Sequence, residues 1–206
     1  MGEKLIIIGA GGHGKVIADI AKLNGYKEIY FLDDDINKHK IGEYQIIGTS
    51  KDIDKYKEKY DFIVGIGNNK IRKRFSLILN ERKIKQPSLI HPSAVIDQTV
   101  NIGQGTVVMA NVVINADSKI GNGCIINTSS SIDHDCLISN YIHISPGVHI
   151  AGTVSVGECS WVGIGATVKN NVYIGSDCII GAGSVVIDNL LESGTYIGVP
   201  ARRIHA

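Results

Sequence analysis

The sequence predicts two units in series: an α/β N-terminal half domain of Rossmann-like order, then a parallel β-helix built from hexapeptide repeats. Three observations predict it. Every sixth residue from Ile90 to Val186 is Ile or Val. Gly103, Gly121, Gly157 and Gly175 fall on an 18-residue spacing, with Ser139 in the gap. Before residue 85, short apolar runs alternate with a glycine turn and helical patterns, beginning KLIIIGAGGHG. The expected division is 1–85 for the first unit and 86–206 for the second.

In the first unit, residues 4–8 (KLIII) read as a buried strand. A turn, Gly9-Ala10-Gly11-Gly12-His13-Gly14, leads into a helix with Val16, Ile17, Ile20, Ala21 and Leu23 on one face, and Gly25 ends it. Residues 28–32 (EIYFL) make a second strand that runs into Asp33-Asp34-Asp35. Residues 61–66 make a third, followed by a helix over 69–81. Gly9, Gly11 and Gly14 fit the dinucleotide spacing, with acidic residues about 20 positions on. Only one βαβ half precedes the repeat, however, and half a site takes a mononucleotide. The turn offers backbone N–H groups and a helix N-terminus to a phosphate. Asp33 or Asp34 can accept from a ribose or sugar hydroxyl, and Gly67-Asn68-Asn69 lies at the same carboxyl edge. His13 would stand beside the phosphate. A nucleotide-sugar therefore fits better than a dinucleotide. An empty strand-to-helix turn is the plain alternative.

In the second unit, a further phase agrees with the aliphatic one. Ala94, Val100, Thr106, Val112, Ser118, Cys124, Ser130 and Cys136 follow it by four residues, and most are small or β-branched. Both phases point inward. Three hexapeptides make one triangular coil. Cys124, Cys136 and Cys178 lie on the small inward phase, so packing explains them and no metal is expected. Each inward Ile or Val contributes ~1.5–3 kcal/mol of burial. No long loop interrupts the series, so the outer faces should be bare and available to identical chains. This pattern resembles the left-handed β-helix acyltransferases. That resemblance implies a left-handed prism and a homotrimer with active sites between subunits.

The formal net charge is +1 and no basic patch stands out, which argues against nucleic acid. No apolar stretch has the length of a membrane span, and the N-terminus does not read as a signal peptide. A cytoplasmic location is expected.

The stretch INTSSSIDHDC breaks the apolar rhythm with Asp133-His134-Asp135. Ile132 points in, so the following residues hang outside at a corner. Ala116 and Gly152, 18 residues either way, stack above and below His134 and leave it open. A solvated polar turn is the bland reading. His143, half a coil on, faces another direction, and the two imidazoles can share a pocket only if a second subunit supplies one. Acyl transfer from a thioester needs a base of near-neutral pKa, and histidine fits. Asp135, with Asp133 second, can hold its tautomer and raise its basicity. No Ser or Cys is paired with a base, so direct attack is expected.

With GAGGHG, FLDD, IGNNKIRK, INTSSSIDHDC and the closing GVPARRI, nearly the whole chain resembles the sugar N-acetyltransferases of bacterial glycan synthesis, above all the bacillosamine type. The resemblance implies N-acetylation of the 4-amino group of a UDP-linked amino-dideoxy sugar, with acetyl-CoA as co-substrate. His134 is then the general base, and Asp135 stands where the bacillosamine enzyme has Glu. Gly11, Gly12, His13, Asp33, Asp34 and Gly67 match the nucleotide-sugar contacts. His143, Gly152, Ile164 and Ala182 fall where acetyl-CoA is held. Other readings are O-acetylation of a sialic acid, N-acetylation of a GDP-linked sugar of perosamine type, a zinc lyase using His134, His143 and His149, and a non-catalytic nucleotide-sugar-binding scaffold.

Overall fold

The computed structural model describes residues 3–204. The N-terminal elements are β1 (Lys4–Ile8), α1 (Gly12–Leu23), β2 (Glu28–Leu32), a small hairpin of β3 (Lys40–Ile41) and β4 (Tyr44–Gln45), α2 (Ile53–Tyr56), β5 (Asp61–Val64) and α3 (Asn69–Glu81). β1 lies between β2 and β5 in a three-stranded parallel sheet. Its residues are apolar because both faces are covered, one by α1 and the other by α3.

Helix α1 buries Gly14, Ile17, Ala18, Ile20 and Ala21. Val16 and Leu23, expected on that face, are 39% and 56% exposed. The buried stripe runs through positions 14, 17, 18 and 21, so those two residues lie off it. Strand β5 stops at Val64, two residues earlier than expected. A Cβ on Gly65 would lie 3.0 Å from the Cα of Gly14, so the chain turns away where α1 comes closest.

From Leu89 onward the chain winds into a triangular prism of two-residue strands. In almost every strand the second residue is the Ile or Val of the six-residue series, and it points inward. From Val108 to Val186 these residues form one buried cluster, with Ile90, Ile96 and Ile102 partly buried at the open first coil. Register is i to i+18 from Leu89 to Val186, as in Val107, Ile125, His143 and Trp161, and shortens to i+16 where Cys178 pairs with Gly194. Val107 N donates to Cys124 O at 2.9 Å, and the same bond recurs along every face.

The inward small phase satisfies its own polar atoms. The hydroxyls of Thr106, Ser118 and Ser160 donate to Gly121 O, Asp133 O and Gly175 O at 2.7–2.8 Å. Each also accepts from the N–H of the cysteine stacked above it, Cys124, Cys136 and Cys178 in turn, at 3.0 Å. Those cysteines are buried and free, and burial pushes the Cys124 thiol up to about 11. From Gly105 to Gly183 every corner carries one residue of positive φ, and these too repeat at 18: Gly123, Tyr141, Cys159 and Asp177 on one corner, Asp117, Asp135 and Thr153 on another.

The prism has three faces. The docking face carries Leu89–Ile90, Val107–Val108, Ile125–Ile126, His143–Ile144, Trp161–Val162 and Cys178–Ile180 and ends in two C-terminal strands. The second face runs from Val95–Ile96 to Val185–Val186. The third runs from Asn101–Ile102 to Tyr173–Ile174. Sequence reading expected all the outer faces to be bare. The docking face is not, because its lower outward residues Leu89, Val107 and Ile125 pack with Leu5, Ile7 and Ile63 in one apolar cluster. No helix among the described residues is long and apolar enough to cross a membrane.

Ile144 sits mid-prism at 0% exposure. Ile144→Ala is expected to lower unfolding stability by about 2–5 kcal/mol. Lys119→Ala, on the exposed outside, should change it by less than about 0.5 kcal/mol. Urea unfolding of the two variants checks this.

Candidate active site

The glycine turn divides by function. A Cβ on Gly14 would lie 2.3 Å from Gly9 O, and one on Gly9 would lie 2.7 Å from Ile66, so these glycines let α1 pack tightly on the sheet. Gly11 and Gly12 are different: a Cβ there would meet nothing within 4 Å, and neither has positive φ. Packing does not require them, and their bare backbone opens a cleft. Gly11 caps α1 without a side-chain bond, and the first turn of α1 has no acidic residue, so the helix end keeps its free N–H groups.

That cleft has a volume of about 480 Å³, and Gly11, Gly12, His13, Asp33, Asp34 and Gly67 all line it. The structure therefore brings the six predicted substrate residues together. Their duties differ. Asp33 Oδ2 accepts from Ala10 N at 2.7 Å and its Oδ1 from Asp35 N at 2.9 Å, so this carboxylate holds the glycine turn. Asp34 accepts from the N–H and hydroxyl of Ser50 at 2.8 and 3.1 Å. Of the expected Gly67-Asn68-Asn69 edge, only Gly67 faces this cleft. Asn68 caps α3 by accepting from Ile71 N, and Asn69 turns to the prism.

Beside the cleft, α3 meets the docking face through Arg72, which is only 2% exposed. Two imidazoles lie near it. His13 has a buried Nε2 without a hydrogen-bond partner, and burial, then Arg72 and His143, pushes its pKa down to about 3. His143 is pushed down to about 4 by burial and by Arg72. Asn127 Nδ2 donates to His143 Nε2 at 3.2 Å. The His143 ring stacks on Trp161 with centroids 5.5 Å apart and planes 5° from parallel.

His134 is elsewhere, on the corner between the second and third faces. Its Nδ1 is 2.7 Å from Asp135 Oδ2, and both side chains are more than half exposed. Asp135 has φ 58°, a conformation in which Asp is favoured over most residues. Asp133 Oδ1 accepts from His134 N and from Asn115 Nδ2, each at 2.9 Å. The bond to Asp135, then the charge of Asp133, raises the His134 pKa above the ordinary imidazole value. Nε2 lies over Gly152, where a Cβ would come within 2.6 Å of it. This nitrogen is left free on an open surface, as a base requires.

The four residues expected at a coenzyme site are not gathered by one chain. His143 is on the docking face, and Gly152 lies under His134. Ile164 and Ala182 stack on the corner between the docking and second faces, where Ile164 is 58% exposed. His134, His143 and His149 point in three directions, and among the described residues no three His, Cys, Asp or Glu side chains are placed to hold a metal. Sequence reasoning missed Lys38, Ser50 and Arg74 in the cleft wall, and Arg72 behind it. Arg72 had left a signal: with Asn69, Phe75, Ser76 and Leu79 it falls on the buried stripe of α3, a place where a charge needs a reason.

Residues 4–77 match the PglD N-terminal domain family and residues 153–188 the bacterial transferase hexapeptide (six repeats) family. The acetyltransferase domain of PglB from Neisseria gonorrhoeae FA1090, solved in complex with acetyl coenzyme A, is 40% identical, with a TM-score of 0.96 over 99% of this chain and 100% of that one. The chain belongs to the left-handed β-helix sugar acyltransferase family. PerB from Caulobacter crescentus, solved with CoA and GDP-perosamine, is 37% identical with a TM-score of 0.94, over 98% of this chain and 97% of that one. A curated family member, the UDP-N-acetylbacillosamine N-acetyltransferase of Bacillus subtilis (strain 168), is 38% identical over 112 residues, 52% of each chain. The match thus spans about half the length of that relative.

The two depressed imidazoles give an acid dependence. An unfolded chain binds protons at both near pH 6.5, while the folded chain binds them only near 4 and 3. Stability should be full above about pH 6.5 and fall as pH drops below it, by on the order of 2 kcal/mol per unit between 6.5 and 5. His143→Gln should roughly halve that slope. Urea midpoints measured across this range check both.

Proposed function

We propose that this chain transfers the acetyl group of acetyl-CoA to the 4-amino group of a UDP-linked amino-dideoxy sugar, with His134 as general base. The observation that carries the chemistry is the His134–Asp135 pair: an open imidazole with Nδ1 bound to a carboxylate and Nε2 over bare backbone. Asp135 fixes the tautomer so that Nε2 carries the lone pair. The sugar amine forms its N–C bond to the thioester carbonyl, His134 Nε2 takes the amine proton, the C–S bond breaks, and the proton passes to the departing thiolate. The expectation that no Ser is paired with a base is corrected by Ser93 Oγ, 2.8 Å from His91 Nδ1, and by Ser131 Oγ, 2.8 Å from His149 Nδ1. Neither imidazole has a carboxylate partner among the described residues, and burial raises the Cys124 and Cys136 thiols, so direct attack remains the proposed route.

The cleft supplies the nucleotide-sugar. Gly11 and Gly12 let a diphosphate approach the N-terminus of α1. Asp34 and Asp33 face the ribose or base, and Gly67 and His13 border the path toward the prism. His13 and His143, kept neutral, accept hydrogen bonds without repelling a protonated amine. In a triangular prism, the corner bearing His134 is the one opposite the docking face, so a chain's own base is remote from its own cleft. This supports a homotrimer in which the cleft of one subunit faces the His134 of another. His143, Gly152, Ile164 and Ala182 then line one channel for acetyl-CoA across the seam. No metal is required. The four free cysteines suit a reducing cytoplasm.

One observation also supports a second nucleotide. A relative solved with GDP-perosamine superposes over 98% of this chain at 37% identity, nearly as fully as the PglB domain does at 40% over 99%, so likeness alone does not single out UDP. Calorimetric titration with UDP and GDP decides between them, and acetyl-CoA consumption with the matching amino sugar tests the activity.

His134→Ala should lower kcat by about 10²–10⁴-fold and leave nucleotide-sugar Kd within about threefold, because the ring lies outside the nucleotide cleft. Parallel loss of affinity would assign His134 to binding. The bond from Asp135 raises the His134 pKa, so Asp135→Asn should move the acid limb of kcat/KM to lower pH while reducing kcat. A pH–rate profile showing a move upward would remove Asp135 from this role.

A further inference from the structure

The guanidinium of Arg72 is buried without a carboxylate contact among the described residues, and all its bonds go to oxygen dipoles. Nη1 donates to Ile66 O at 3.1 Å and Gly67 O at 2.9 Å, both in the cleft wall. Nε donates to Gly123 O at 2.7 Å, and Nη2 to Tyr141 O at 3.0 Å and Ile142 O at 3.4 Å, on two successive coils of the prism. Nη2 also donates to Asn69 Oδ1 at 2.7 Å, and Asn69 Nδ2 in turn donates to Cys159 O and Ser160 O on the next coil, at 2.9 and 3.0 Å.

Burying an unpaired cation costs several kcal/mol even after relaxation, and a leucine here would close the same junction without that cost. What an apolar side chain lacks is direction. The planar fork has five N–H donors in fixed geometry, and here they span the cleft wall and the coils together. We propose that Arg72 is a positioning residue for acetyl transfer, locking the nucleotide cleft to the prism at one angle and height so that a bound sugar reaches the base at the seam. The inference rests on the function proposed above and adds to it a residue that touches neither substrate. The groups that face the guanidinium are His13 on α1, His143 on the docking face, and Cys124, Tyr141 and Cys159 along the coils. None is a carboxylate that could replace the carbonyls as its partner.

The test uses the full chain with Arg72→Lys, which keeps the charge and loses the fork, and Asn69→Ala, which keeps Arg72 and loses one of its anchors. Calorimetric Kd for UDP and GDP, kcat with the amino sugar, and Tm are measured for each. Spin labels at Lys15 on α1 and Lys169 on the prism, in spin-diluted samples, report the distance between the two units. The expected result is a lower Tm, nucleotide Kd within about threefold of wild type, kcat reduced by about 10²-fold as for a 1 Å misplacement, and a broadened label distance. Wild-type kcat per folded molecule with an unchanged distance overturns the proposal, and so does a loss of nucleotide affinity that matches the loss of kcat. Wild-type protein that binds nucleotide but acetylates no amino sugar refutes the acetyltransferase reading instead. The label distance then decides the Arg72 assignment alone.

Discussion

The hydrogen bond from each strand residue to the coil 18 positions away is the constraint on which the rest of this molecule depends. Once it repeats, every side chain has a known neighbour above and below, and the chain has no freedom to shift one position without turning its Ile and Val ladder to solvent. The corners inherit the same repeat, so Asp135 takes the left-handed conformation that Asp117 and Thr153 take on neighbouring coils. Among the described residues, the one imidazole with a carboxylate partner is thus held by the geometry of the coil, with Gly152 as its floor. The reactive side chains cost the core nothing, because Ile132 and Cys136 on either side keep the inward phases filled.

The N-terminal half domain solves a different problem. A three-stranded parallel sheet with one helix on each face is too small to make a second nucleotide half, and part of α1's cluster is completed by the docking face. The cleft and the prism are therefore one packed body. Polar bonds around Arg72 and Asn69 set their orientation, while apolar contacts among Leu89, Val107 and Ile125 supply adhesion. This division explains how residues more than 50 positions apart are brought into one junction, and why two neighbouring imidazoles remain neutral.

Much of this was legible in the sequence because it obeys local period. The ladder from Ile90 to Val186, the small inward cysteines, the glycine turn and the exposed His134–Asp135 corner all follow from spacing alone. What escaped was what spacing does not encode. Val16 and Leu23 looked like core because their hydrophobicity fits a helical face, yet the packing direction of α1 is set by Gly9 and Phe31. Asn68 and Asn69 looked like a ligand edge, but one caps a helix and the other crosses to the prism. The covered part of the docking face was hidden because docking joins distant segments. The proposed coenzyme residues were carried by resemblance, and they fall on two corners and a face of one chain, a pattern that makes sense only across a boundary between chains.

That boundary is the central claim, and subunit complementation tests it most directly. His134→Ala chains, with an intact cleft, are mixed and reassembled with Gly11→Trp chains, whose cleft is filled but whose base is intact. If each site joins the cleft of one chain to the His134 of another, two inactive proteins should recover about a quarter of wild-type activity at equal mixing, the chance that a random seam unites both intact parts. Recovery of no activity from assemblies that demonstrably contain both chains would contradict the account, since it would place the base and the cleft in the same subunit.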